Sequence, residues 1–139
     1  MAGSAGDYME AAILNAVFGA TALPTIATHY VALYTVLPTD ASGSGTEVTG
    51  GSYARVAVTN NGTTWPAATG SNPTQKANGI AITFPAPTAN WGTVVGWAIY
   101  DASSGGHELA WAPLATNRVI NNNDAASSFA IGALVITLD

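Results

Sequence analysis

The sequence predicts an all-β fold: a jelly-roll-like β-sandwich with a short N-terminal α-helix. Three observations predict it. Stretches of alternating, β-branched and aromatic residues recur from His29 to Leu138. Clusters of Gly, Ser and Asn at turn positions separate them. A single helical pattern stands ahead of all of them. An immunoglobulin-like sandwich is the alternative arrangement of the same strands.

The helix is expected from about Tyr8 to Phe18. Met9, Ala12, Ile13, Ala16 and Val17 recur at helical spacing, and Leu14 and Phe18 widen the stripe. Asp7 stands where a side chain can cap the first turn, with Glu10 three residues on as in a capping box. Gly19 stands where a left-handed residue ends a helix. Only Glu10 and Asn15 are polar inside it, so such a helix demands a cover, from its own domain or from another subunit.

The first strand is expected over His29–Val36, stopping before Pro38. In Tyr53–Thr59, Ala54, Val56 and Val58 share one face, while Tyr53, Arg55 and Thr59 share the other. Ile80, Ile82 and Phe84 alternate with Ala81 and Thr83. Thr93–Asp101 sets Val95, Trp97 and Ile99 on one face, Leu109 and Trp111 continue the pattern, and Leu134, Ile136 and Leu138 form the last strand. Turns are expected at Asn60-Asn61-Gly62, Ser103-Ser104-Gly105-Gly106 and Asn121-Asn122-Asn123-Asp124. Leu37–Ser52 and Asn60–Asn78 are too long for hairpins, and loops of that length in a compact domain often carry function. The chain therefore divides into an N-terminal helical segment, 1–27, and a single β-sandwich domain, 28–139, without internal repeat or linker.

Composition restricts function further. Three basic and eight acidic residues make up 8% of the 139 residues, against about a quarter in ordinary domains. A surface built from Ser, Thr, Asn, Gly and Ala suits a protein meant to lie against neighbours. A net charge of −5, with Arg55, Lys76 and Arg118 far apart, argues against nucleic acid as a partner. The apolar run Ala11–Phe18 is too short to span a bilayer, and the basic start of a signal peptide is missing. No membrane partner is expected, and synthesis in the cytoplasm without processing is.

No catalytic signature accompanies these features. There is no cysteine, no Gly-x-Ser-x-Gly elbow and no Gly-Lys-Ser/Thr after the glycines at 43–51. His29 and His107 lack the partners of a zinc site, and the Asn-rich run at 121–124 lacks the spaced acids and terminal Glu of a calcium loop. The acids at Asp40, Glu47, Asp101, Glu108 and Asp124 sit mostly in turns, where acceptors are common. The expectation is a protein that is not an enzyme and takes no cofactor or metal. Trp97 and Trp111 lie in alternating strands and are expected in the core, whereas Trp65 and Trp91 lie beside loops and are expected to meet a partner.

One run is more distinctive: Gly45-Thr46-Glu47-Val48-Thr49-Gly50-Gly51-Ser52-Tyr53-Ala54-Arg55. Gly50-Gly51 permits a backbone turn closed to other residues. Beyond it, the Arg55 guanidinium can stack on the Tyr53 ring or fork onto Glu47, either as a clamp on the long loop or at a subunit contact. The run follows Tyr30-Val31-Ala32-Leu33-Tyr34-Thr35. It precedes Ala81–Pro85, Trp91–Val94, Trp97–Ala102, Leu109–Trp111 and the closing Gly132–Leu138. This order resembles a family of small tailed-bacteriophage virion proteins labelled either tail-fibre-like or head decoration (cement) proteins, over nearly the whole chain.

The resemblance implies a homotrimeric jelly roll on the outer capsid surface, contacting the major capsid protein and stabilising the shell. The alternative it carries is a tail-fibre or baseplate module that binds a host receptor or glycan. The residues expected to make partner contacts are Tyr8, Ile13 and Phe18 of the apolar helix, Glu47, Tyr53 and Arg55 of the distinctive run, and Trp65 and Trp91. The two long loops are expected to share in those contacts.

Overall fold

The computed structural model describes residues 4–138; residues 1–3 of the N-terminal segment and Asp139 of the β segment lie outside the described residues. The elements run β1 (Ser4–Ala5), α1 (Asp7–Gly19), β2 (Thr28–Val36), β3 (Thr46–Glu47), β4 (Val56–Thr59), β5 (Thr74–Ala77), β6 (Ile82–Thr83), β7 (Gly92–Tyr100), β8 (Glu108–Ile120), β9 (Ser128–Phe129) and β10 (Val135–Leu138). The fold is an all-β sandwich with one helix. An antiparallel sheet in the order β1-β8-β7-β2-β3, with β4 also on β2, forms the main layer. Two small antiparallel pairs, β5–β10 and β6–β9, accompany it.

The hydrophobic run Val31-Ala32-Leu33-Tyr34 is buried without interruption, the pattern of a strand covered on both faces. Its register with β7, Val31 opposite Ile99 and Leu33 opposite Trp97, sets these four side chains on one face. There they join Phe84, Ile82, Trp65, Trp91 and Leu134 in the principal core. Ala32, Tyr34, Ala98 and Tyr100 form a smaller cluster on the other face, with Trp111 packed against it.

Two irregularities shift the expected pattern. The β7–β8 register breaks between Val94 and Gly96; an extra residue in a strand reverses which face its neighbours take. Val94, not Val95, therefore joins Trp97 and Ile99 in the core. A second break lies between Ile99 and Tyr100. It puts Leu109 in the core and Trp111 with the smaller cluster on the opposite face, where its Nε1–H donates to Asp40 Oδ1 at 2.9 Å.

Both long loops prove to be ordered parts of the sandwich. Leu37–Ser52 contains β3 and the buried Val48, whose N–H donates to Leu33 O. At Gly51 (φ +55°) a Cβ would stand 2.8 Å from the Ala89 nitrogen, so the turn is closed to larger residues as the Gly-Gly pair predicts. In Asn60–Asn78, Asn61 Oδ1 accepts from Thr63 N and Thr64 N. The turn this makes delivers Trp65 to the core before β5 pairs with β10.

The helix begins differently from the expected cap. β1 adds itself to the edge of β8, Gly6 N donates to Leu109 O, and Asp7 N donates to Asp40 O. Gly6 occupies the cap position and no side chain caps the turn. A Cβ at Gly6 would meet the Glu108 carbonyl oxygen at 2.5 Å, so glycine is required for the chain to pass. Asp7 is thus the first helical residue. At the other end Ala20, not Gly19, takes the left-handed conformation (φ 53°), and Thr21 N donates to Asn15 O.

Candidate assembly surface

None of the thirteen residues of α1 is buried. Met9, Ala12, Ile13 and Ala16 face the sandwich and are half-covered, while Leu14, Val17 and Phe18 are 58%, 65% and 84% exposed. These three stand at i, i+3 and i+4, neighbours on one helix face. The arm that follows continues the apolar surface with Leu23, also exposed. Monomeric proteins rarely leave an apolar face of this kind uncovered. Of the residues expected at partner contacts, Phe18 is open, Ile13 is half-covered on the inner side, and Tyr8 is occupied: its ring stacks on His107 at 3.9 Å. His107 Nδ1 in turn meets Asp101 Oδ2 at 2.8 Å. Burial raises the Asp101 carboxyl, but the hydrogen bonds from His107 outweigh it and hold the group below its usual range.

The distinctive run builds an internal clamp. Arg55 Nε donates to Glu47 Oε1 at 2.9 Å and Nη2 to Oε2 at 2.8 Å. Nη1 donates to the carbonyls of Ala102 and Gly105. The guanidinium lies 3.7 Å from the centre of the Tyr100 ring, not the Tyr53 ring. Tyr53 turns inward, between Phe84 and Trp91, where its hydroxyl accepts from Leu33 N and donates to Glu47 Oε1. One arginine thereby joins β3, the start of β4 and the β7–β8 turn. Sequence spacing found the partners Glu47 and Arg55, but the Tyr100 ring comes from a strand 45 residues further on, which no local pattern reveals.

Behind the clamp, Tyr34 and Tyr100 share a hydrogen bond of 2.5 Å between their hydroxyls, and Tyr100 donates to Glu108 Oε2. Glu108 is fully buried, and its Oε1 has no partner among the described residues. Burial raises its carboxyl to about 7, and the Asp40 charge adds to the rise against the Tyr100 hydrogen bond and the Arg55 charge. Nothing in the sequence marked this residue beyond its being an acid.

Trp65 and Trp91, expected to face a partner, are instead buried at 4% exposure each. A loop position exposes a tryptophan only if the loop itself stays out of the core, and both of these loops turn inward. Among the described residues no group of three or more acids and histidines is placed to hold a metal ion, and no helix is long and apolar enough to cross a membrane.

Five of the acids, Asp40, Glu47, Asp101, Glu108 and Asp124, accept hydrogen bonds from within the chain. The sandwich ties these acids into its own hydrogen bonds and leaves one face of its helix uncovered, the build of a structural module. The comparison with known families makes this specific. The chain belongs to the family described as podophage GP4 fiber I protein gp80, whose profile matches residues 4–137. It is a structural protein of the phage virion type. No curated protein matches the chain.

Proposed function

We propose that this chain is a capsid decoration protein that carries out no catalysis and assembles on the outer surface of the phage head. Its partners in this reading are the major capsid protein and two further copies of itself, with neither nucleic acid nor membrane involved. The observation that carries the proposal is the open face of α1, Leu14, Val17 and Phe18, on a chain whose surface holds few ions. Apolar and neutral polar faces come together without the desolvation penalty of buried charge. A trimer with three such faces gains avidity from several weak contacts on one shell.

A second reading, a fibre module, draws on the description of the matching family, which names a fiber protein. Electron cryomicroscopy of whole particles separates the two. Density for the chain distributed over the head, at hundreds of copies per particle, supports decoration; density confined to the tail overturns it in favour of the fibre. Replacing Leu14, Val17 and Phe18 together by Gln is expected to abolish addition of the purified protein to particles that lack it. If the triple variant adds as well as the parent, α1 is not the mating element.

A further inference from the structure

A cavity of about 340 Å³ lies between the inner face of α1, the chain entering β2, and strands β8 and β10. Met9, Ile13, Ile26, Ile99, Leu109 and Ile136 make most of its wall apolar. His29, Asn60, Trp65 and Lys76 break that character. Trp65 Nε1 and His29 Nδ1 are buried and have no hydrogen-bond partner among the described residues. The rings stand edge to face, 5.7 Å apart. A buried N–H without an acceptor is costly, and native proteins nearly always supply one. Lys76 also lines the cavity, no acidic residue does, and no ion pair to Lys76 is present among the described residues.

An apolar pocket with a few convergent polar groups and one uncompensated cation is the general form of a small-ligand site. We infer that this cavity binds a medium-chain acyl carboxylate, its chain along the apolar wall under α1 and its carboxylate on the Lys76 ammonium, with the Trp65 and His29 rings shifting to present their sealed nitrogens to it. At roughly 30 Å³ per water-sized group the space holds about ten heavy atoms. Burial lowers the His29 imidazole below its ordinary range, which keeps it neutral near pH 7 and leaves Lys76 as the charge that selects an anion. The inference stands apart from where on the particle the protein resides.

The test uses the ¹⁵N-labelled full chain titrated with decanoate below its micellar concentration, with decanol as the uncharged comparison. The indole N–H resonance of Trp65 is expected to shift saturably. That of Trp91, which is likewise buried and unpartnered but lies outside the cavity, is expected to stay in place. Trp65→Phe identifies the resonance; if that variant does not fold, through-space contacts to the His29 ring identify it. Ala12→Phe, which plugs the cavity from the helix, is expected to remove the shift. Lys76→Met is expected to weaken decanoate about threefold or more while leaving decanol unchanged. Absence of a saturable shift, or equal binding by Ala12→Phe, overturns the site; decanoate binding unchanged in Lys76→Met overturns the carboxylate assignment.

Discussion

Arg55 and Glu47 meet side on, two parallel N–H···O bonds of 2.9 and 2.8 Å, with only 7% of the Arg55 side chain exposed. Removing one partner of a pair this covered leaves the other charge without compensation and costs about 3 kcal/mol. Arg55→Ala also orphans the Ala102 and Gly105 carbonyls. Thermal unfolding of Arg55→Ala is expected about 10 °C below the parent. Arg55→Lys keeps the charge but loses the fork and the flat stacking on Tyr100, so it is expected to fall between the two. A melting temperature unchanged in both variants contradicts the clamp.

Glu108 makes stability depend on pH in an unusual direction. Its carboxyl lies near 7 in the folded protein, against an ordinary 4.5. Between those values the folded state holds a proton that the unfolded state has released, so stability falls as pH rises and levels off above 7. The loss is about 3 kcal/mol across that window. Glu108→Gln preserves an acceptor for Tyr100 without the charge. It is expected to match the parent near pH 4 and to exceed it at pH 8, as denaturant titrations at the two pH values would measure. Parallel curves for the two proteins exclude this role for Glu108.

The long strands were legible because their signals are local. His29–Val36 and Thr93–Asp101 correspond to β2 and β7 within a residue at each end, since alternation and β-branching act over five to nine neighbours. The short pairings were not. β1, β3, β5 and β9 are each two to four residues, and each exists because a distant strand offers it hydrogen bonds. The faces of β7 and β8 failed at two register breaks, which alternation cannot foresee. At the candidate site, an apolar helix in need of a cover and the Glu47–Arg55 pair could be read from spacing, but not which face of the helix stays open. The burial of Trp65 and Trp91 and the assembly of Tyr34, Tyr100 and Glu108 required the tertiary fold.

Phe18 distinguishes a mating surface from a structural one. At 84% exposure its ring contributes little to the isolated fold, and surface substitutions generally stay within about 0.5 kcal/mol. Phe18→Ser is expected to leave the melting temperature of the dilute protein within about 2 °C of the parent while lowering self-association in sedimentation equilibrium. A large thermal loss without a change in association would assign Phe18 to the protein's own packing instead.

Asn78 closes the seam between β5, β6 and β10 from the end of a long loop. Its amide donates to the carbonyls of Ile80 (2.7 Å) and Ala130 (2.9 Å), and its Oδ1 accepts from Leu134 N at 2.8 Å. The residue is 2% exposed, and its bond to Leu134 N is fully buried. Asn78→Ala leaves the Leu134 amide buried without this partner and removes two part-buried bonds, a loss of about 3 kcal/mol. Asn78→Asp keeps the acceptor for Leu134 but turns an oxygen toward the two carbonyls. Burial and those carbonyls favour the protonated acid, which restores one donor, so the Asp variant's folded-state carboxyl lies above its unfolded value. Its stability is therefore highest at acid pH and declines as pH rises through that folded value. Denaturant unfolding at pH 4 and pH 8 checks the sign: Asn78→Asp is expected to lose more stability than Asn78→Ala at pH 8 and to recover part of it at pH 4. A pH-independent deficit equal to that of Asn78→Ala would show that the two carbonyls find other donors.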